Sequence, residues 1–203
     1  MHQFLYFDLG NVLLDFDHLL GCGRVAEHAG VTPERVKEVV FDSGLEWRYE
    51  RGEISSGEFY DAVKSRIPTV PDLPFVLDAL SDIFQVKPKI ETVLKSLARR
   101  GHRMGILSNT CEAHWQFVHS DRFPFLREHF EIHALSFRIG AMKPEPKIYQ
   151  QALAMVGVPG EQVFFVDDRP ENVRGAVEMG IDAVQFHSLE LLLTDLRARD
   201  LVD

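Results

Sequence analysis

The sequence predicts an α/β fold: a parallel sheet of about five strands with a helical insertion near its start. Three observations carry this. The apolar run at 4–7 has the length and composition of a strand buried on both faces, and 103–107, 163–166 and 183–186 read as further strands. Helical patterns alternate with them from residue 88 onward, and such alternation implies parallel strands joined by right-handed crossovers. Residues 17–86 show no strand pattern, only successive helix starts and stops.

The first strand, Phe4-Leu5-Tyr6-Phe7, runs directly into Asp8, and Gly10 follows two places later. A carboxylate at the end of a buried strand is costly unless it is paired or bound to a metal. Glycine lets the backbone turn there and come close to whatever the carboxylate faces. Residues 13–16 continue apolar, and Asp17-His18 open a helix that Gly30 stops. Thr32-Pro33 supply the cap and first-turn proline of the next one. Ser55-Ser56-Gly57-Glu58 is another capped start, leading to Ile67; the proline-rich stretch 68–74 is a loop, and 75–84 a further helix.

Beyond Pro88 the order is regular. A helix over 89–100 ends at Gly101, and the strand 103–107 ends in Ser108-Asn109-Thr110. A helix over 111–129, broken at Pro124, precedes a weaker strand at 131–135. Lys143-Pro144-Glu145-Pro146 leads into a helix reaching residue 156. The strand 163–166 ends in Asp167-Asp168, and a helix over 171–179 closes at Gly180. The last strand, 183–186, is followed by a helix from Ser188. The expected domains are a Rossmann-like α/β core, residues 1–16 and 87–203, and a helical cap, residues 17–86.

Composition narrows the function. At 203 residues, 45% apolar and 26% charged, the chain suits one core with a small appended lobe. A net charge of −9 without a basic cluster argues against a nucleic-acid partner or an anionic membrane surface. No apolar run approaches the ~20 residues that span a bilayer, and the start lacks the pattern of a secretory signal. Cys22 and Cys111 show no metal-ligand spacing, so two reduced thiols in a cytoplasmic protein are expected. Oligomeric state cannot be inferred from the pattern.

In an open parallel sheet, ligands bind beyond the carboxyl ends of the strands. Three strands here end in polar groups: Asp8, Ser108-Asn109, and Asp167-Asp168, and the loop residue Lys143 is positioned to join them. Carboxylates suit a hard cation such as Mg²⁺, a hydroxyl and an amide suit phosphate oxygens, and Lys143 adds a fixed positive charge. Each piece has a plainer alternative. Asp8 could cap a helix or open a turn, one of Asp167 and Asp168 could cap the helix that follows, Ser108-Asn109-Thr110 could do the same, and Lys143 could be a solvated loop residue.

Taken together, Phe7-Asp8-Leu9-Gly10-Asn11-Val12-Leu13, Leu107-Ser108-Asn109-Thr110, Met142-Lys143-Pro144-Glu145 and Phe165-Val166-Asp167-Asp168 resemble four ordered motifs. They are those of the haloacid dehalogenase-like (HAD) hydrolase superfamily, and the likeness spans the chain, inserted cap included. Tyr49-Glu50-Arg51-Gly52-Glu53-Ile54-Ser55 is similar to the bacterial sugar-phosphate phosphatase branch, which includes the α-D-glucose-1-phosphate phosphatase type. The resemblance implies a Mg²⁺-dependent phosphatase acting on a small phosphorylated metabolite. Asp8 would be the nucleophile, forming an aspartyl-phosphate that water cleaves. Asp8, the Gly10 carbonyl and Asp168 would hold the metal. Ser108 and the Asn109 amide would bind phosphoryl oxygens, Lys143 would neutralise charge, and Asp167 would orient its neighbours. Asn172, one helical turn beyond the paired acids, is a further candidate at the metal site.

One departure stands out. Most phosphatases of the superfamily carry a second Asp two residues after the nucleophile, as general acid and base, and this chain has Gly10 there. Asp15, Asp17, His18 and Glu50 are candidate replacements; a good leaving group, as at a sugar's anomeric carbon, is the other explanation. The same absence keeps a metal-independent 2-haloacid dehalogenase in view, although those enzymes lack paired acids in the fourth motif. A non-catalytic binding protein on the same fold is the third class. Trp47 and Tyr49 are candidates for a pocket wall or for the cap's own core, and Arg48 and Arg51 for an anion contact or solvated charge. His114, His119, His129 and His133 are poorly spaced for one helical face, so surface or half-buried positions are expected.

Overall fold

The structure, a computed structural model, describes residues 2–203; Met1, the first residue of the expected core, lies outside them. Seven strands occur in chain order: Phe4–Phe7 (β1), Leu14–Phe16 (β2), Phe84–Val86 (β3), Arg103–Ser108 (β4), Ile132–Leu135 (β5), Val163–Asp167 (β6) and Asp182–Gln185 (β7). Five of them form one sheet in the order β5-β4-β1-β6-β7, with every pairing parallel. The central strand is β1, so Asp8 emerges between two neighbours.

The continuous apolar run of β1 follows from burial on both faces. Strand alternation sends Leu5 and Phe7 into one apolar core and Phe4 and Tyr6 into another. In β6, Phe164 and Val166 divide from Val163 and Phe165 in the same way. The Phe4 and Tyr6 rings also explain Gly105 of β4: a Cβ there would stand 2.8 Å from each.

Between β2 and β3 the chain forms helices His18–Ala29, Pro33–Lys37, Leu45–Glu50, Ser56–Arg66 and Leu73–Ser81, with a π-helical turn at Glu38–Asp42. They enclose their own apolar cluster, including Val36, Phe59, Val63 and Val76. The helix starts are those the sequence signals. The Asp17 carboxylate accepts from the Leu19 amide, Thr32 caps with Pro33 in the first turn, and Ser55 and Glu58 form a reciprocal capping box. Cys22 and Cys111 are free thiols buried in this same cluster.

Three expectations are corrected. The helix expected over 75–84 begins at Leu73, behind its cap Asp72, and stops at Ser81. Phe84–Val86 is instead a strand, paired antiparallel with Leu14–Phe16, so the stretch expected to lack strands enters and leaves through a two-stranded ribbon. Two three-residue strands so far apart in sequence leave no local periodicity to detect. The helical stretch 111–129 does divide at Pro124, as expected, but the break is wider, running from His119 to Pro124 between helices Glu112–Val118 and Phe125–His129. Among the described residues, no helix is long and apolar enough to cross a membrane.

Candidate active site

Parallel pairing places the candidate groups at one edge. Phe7 is level with Ile106 of β4 and Val166 of β6, so Asp8 falls beside Leu107 and Asp167. The Asp8 amide donates to the Val166 carbonyl at 2.9 Å, continuing the ladder by one residue before the chain turns away. Ser108 ends β4 and Asp167 ends β6, which brings residues far apart in sequence to adjacent strand ends.

Lys143 enters this edge from below. Its ammonium lies 2.9 Å from Asp8 Oδ1 and 2.5 Å from Asp167 Oδ2, and donates to the Leu107 carbonyl at 2.8 Å. All three side chains are nearly or fully buried. The Lys143 backbone is fixed as well. Its amide donates to Asn109 Oδ1 at 2.8 Å, and Asn109 Nδ2 returns a bond to its carbonyl at 3.0 Å. Asp167 accepts from Asn172 Nδ2 at 3.0 and 3.1 Å and from the Arg169 amide at 2.9 Å. It is a saturated acceptor that aims Lys143 and Asn172.

The charges do not balance. Asp8, Asp167 and Asp168 present carboxylate oxygens within 4.8 Å of one another, against one ammonium. Burial pushes the Asp8 carboxyl up to about 7, against the pull of Lys143, and Asp167 and Asp168 add to the rise. Burial opposes the charge on Lys143, but Asp167 and Asp8 outweigh it and hold the ammonium above its usual range. A buried cluster of hard oxygen donors short of positive charge is the donor set a divalent cation such as Mg²⁺ requires. The residues therefore fit a metal, with Asp8, Asp167 and Asp168 supplying the clustered carboxylate oxygens.

These groups open into a cleft of about 700 Å³, lined by Asp8, Gly10, Ser108, Asn109, Lys143, Asp168 and Asn172 on the sheet side. From the helical insertion come His18, Glu46, Trp47 and Glu50. Of the candidate replacements for the missing acid, two are committed elsewhere: Asp15 pairs with Lys87 across the ribbon, and Asp17 caps its helix. His18 and Glu50 face the cleft. Burial pushes the Glu50 carboxyl up to about 7, helped by Asp8 and opposed by Lys143 and Arg169. Glu46, on the same helix face, is raised well above its usual range by burial and by Glu50.

Trp47 is half exposed on the cleft wall, whereas Tyr49 is buried and its hydroxyl accepts from the Ala113 amide. Arg48 lies beside Glu53, and Arg51 forms a two-pronged pair with Glu145, so both are engaged within the protein. His114 is buried, against expectation, because its ring packs between the insertion and β3 and bonds the Leu80 carbonyl. His119 and His133 meet over the Trp115 ring.

Sequence reasoning missed Asn11, whose amide nitrogen reaches Asp168 Oδ2 at 3.0 Å from a left-handed backbone position that Asn tolerates. It also missed Arg169 on the cleft rim and Ser136, which is fully buried and links Glu50 to the sheet. The Asn after Gly10 was the available signal for the first; the other two have none.

The comparisons agree with this architecture. The chain is similar to a HAD-like hydrolase from Porphyromonas gingivalis, with a TM-score of 0.82 at 26% identity over 97% of this chain and 98% of that one. It is similar to the HAD family enzyme BT-2542 of Bacteroides thetaiotaomicron in its magnesium complex, with a TM-score of 0.81 at 25% identity over 95% and 98%. The phosphoserine phosphatase of Thermus thermophilus is 31% identical over 50% of this chain and 40% of that protein. The chain spans less than half the length of this and of several other curated relatives it matches. The model of the haloacid dehalogenase-like hydrolases matches residues 5–180, and the chain belongs to that family.

Proposed function

We propose that the protein is a Mg²⁺-dependent phosphatase of small phosphomonoesters, with a sugar phosphate as substrate, working through an aspartyl-phosphate. The observation that carries this is the buried carboxylate cluster around a single ammonium at the end of the central strand. Phosphoryl transfer depends on positioning and on electrostatic stabilisation, which such a cluster with a divalent cation supplies. The magnesium complex of BT-2542 and the phosphoserine phosphatase relative support the same class.

Asp8 Oδ1 accepts from the Leu9 amide at 2.7 Å and lies against Lys143, while Oδ2 has no protein donor among the described residues. That leaves Oδ2 free to attack phosphorus. Lys143 holds the carboxylate in place and balances charge on the transferring group. Ser108 and the Asn109 amide stand at the neighbouring strand end, where they would take phosphoryl oxygens. A bound Mg²⁺, held by Asp8, the Gly10 carbonyl and Asp168, would polarise the phosphoryl group as a Lewis acid. Asp167 and Asn172 set the positions of Lys143 and of the loop that carries Asp168. The helical insertion acts as a cap that screens the cleft from water and selects the substrate. A polar cleft with an exposed indole on its wall suits a sugar better than an apolar alcohol.

The test is phosphate release from a panel of sugar phosphates and 4-nitrophenyl phosphate, with Mg²⁺ and with chelator. Mg²⁺-dependent turnover that disappears in Asp8→Asn is expected. Activity that survives chelation or Asp8→Asn refutes the proposal, and halide release from a 2-haloacid without metal would assign the dehalogenase class instead.

A further inference from the structure

The phosphomonoesterase reading leaves a proton unassigned, since the position that supplies it elsewhere in the family is Gly10. The structure shows why no side chain stands there. A Cβ on residue 10 would lie 2.8 Å from the Phe16 ring, and that ring is held against His18 and Phe84. Phe16 thus crowds the space of a residue-10 side chain, and a proton donor has to come from another residue of the cleft.

Resting on that reading, we propose that Glu50 is the general acid and base, presented to the leaving oxygen from the helical insertion. Three contacts fix this stretch of backbone to the core. Ser136 Oγ donates to the Glu50 carbonyl at 2.6 Å and accepts from the Thr110 amide at 2.9 Å, two residues beyond Ser108. Arg51 pairs with Glu145, two residues beyond Lys143. Gly52 lies so close to the Phe137 backbone that a Cβ would stand 2.2 Å from its carbonyl oxygen. The insertion therefore meets the core at residues 50–52, against Ser136, Phe137 and Glu145, close to the segments that follow Ser108 and Lys143.

The side chain is as free as the backbone is held. Glu50 lines the cleft with Asp8, and among the described residues no group donates a hydrogen bond to its carboxyl. Its neighbours Glu46 and His114 place ligand atoms within 4.8 Å of its carboxyl, and burial together with the Asp8 carboxylate in the same cleft favours retention of a proton.

The proton balance closes. Asp8 attacks phosphorus, the ester P–O bond breaks, and the leaving alkoxide takes the Glu50 proton to become the alcohol. The Glu50 carboxylate then removes a proton from water as its oxygen attacks the aspartyl-phosphate. The P–O bond to Asp8 breaks, releasing hydrogen phosphate and restoring both carboxyl groups to their starting states.

The experiment compares kcat/KM of the wild type and Glu50→Gln on two esters, a sugar 6-phosphate and 4-nitrophenyl phosphate. The ratio kcat/KM reports steps through release of the leaving group, so the later hydrolysis does not obscure it. A loss of ~10²–10⁴-fold on the sugar ester, and of no more than about threefold on the aryl ester, is expected, because nitrophenolate leaves without a proton. Equal losses on both esters overturn the Glu50 assignment alone and mark a positioning role. A wild type that cleaves only the aryl ester also overturns it, since a working acid would serve the alkoxide. A wild type silent on both overturns the phosphatase reading and the assignment with it. Should Glu50→Gln fail to fold, Glu50→Asp, whose carboxyl sits one methylene back, carries the same comparison.

Discussion

Replacing Asp8 by Asn removes the negative charge that burial disfavours most at this edge while keeping an acceptor for the Leu9 amide and Lys143. In the unfolded chain an Asp titrates near ~3.9, and in the fold Asp8 is pushed up to about 7. Between those values the folded protein binds more protons than the unfolded one, so this group makes stability fall as pH rises. Each pH unit of displacement corresponds to ~1.36 kcal/mol, which sets a ceiling of about 4 kcal/mol near pH 8. Sharing of the proton within the coupled cluster lowers the expected gain for Asp8→Asn to about 1–3 kcal/mol. Urea unfolding in chelator, followed by circular dichroism, measures it at about pH 8 and about pH 5. The variant should be more stable than the wild type at the higher pH, and the gap should close at the lower. A variant less stable than the wild type near pH 8, or a gap independent of pH, refutes the account of the site as short of positive charge. Added Mg²⁺ should raise the wild type more than the variant, because only a ligand bound tightly by the folded state stabilises it.

Two further perturbations probe the same edge. Lys143→Met leaves Asp8 and Asp167 buried without a cation, and should cost about 3–5 kcal/mol near pH 8, with a smaller loss at about pH 5 as the carboxylates take up protons. Unfolding at the two pH values checks this, and equal losses would contradict it. Gly10→Asp installs the acid common elsewhere in the family against the Phe16 ring, and overpacking should cost about 1–3 kcal/mol without raising kcat/KM on a sugar phosphate. An active, undestabilised variant would show that the ring yields.

Much of the candidate site is legible in the amino-acid sequence, for a topological reason. A parallel sheet sends the carboxyl ends of its strands to one side, so polar residues ending three apolar runs have to converge once the strands are recognised. Asp8, Ser108 and Asp167 need nothing more. The partners of Asp167 are less accessible. Asn172 and Lys143 both reach the same carboxylate, and only packing shows that it is an acceptor saturated by protein. What the sequence hides is long-range. The ribbon of β2 and β3 joins residues about seventy positions apart, Phe16 obstructs Gly10 through a ring, and Ser136 ties Glu50 to Thr110 from an unremarked Leu-Ser-Phe stretch. None of these leaves a period, a cap or a motif. His114 is misjudged because helical spacing says nothing of an insertion folding over that face.

The ribbon has a further consequence. The chain departs at Phe16 and returns at Phe84 as directly paired residues, and such partners lie only about 4.5–5.5 Å apart. The chain between them leaves and re-enters through this one covalent stem, and meets the core again at residues 50–52. A replacement segment would have to match both the gap at the ribbon and those contacts. The excursion is in that sense a cassette: exchanging it would replace Glu50 and the wall that faces the cleft, while Asp8, Ser108, Lys143 and Asp168 stay at the sheet edge.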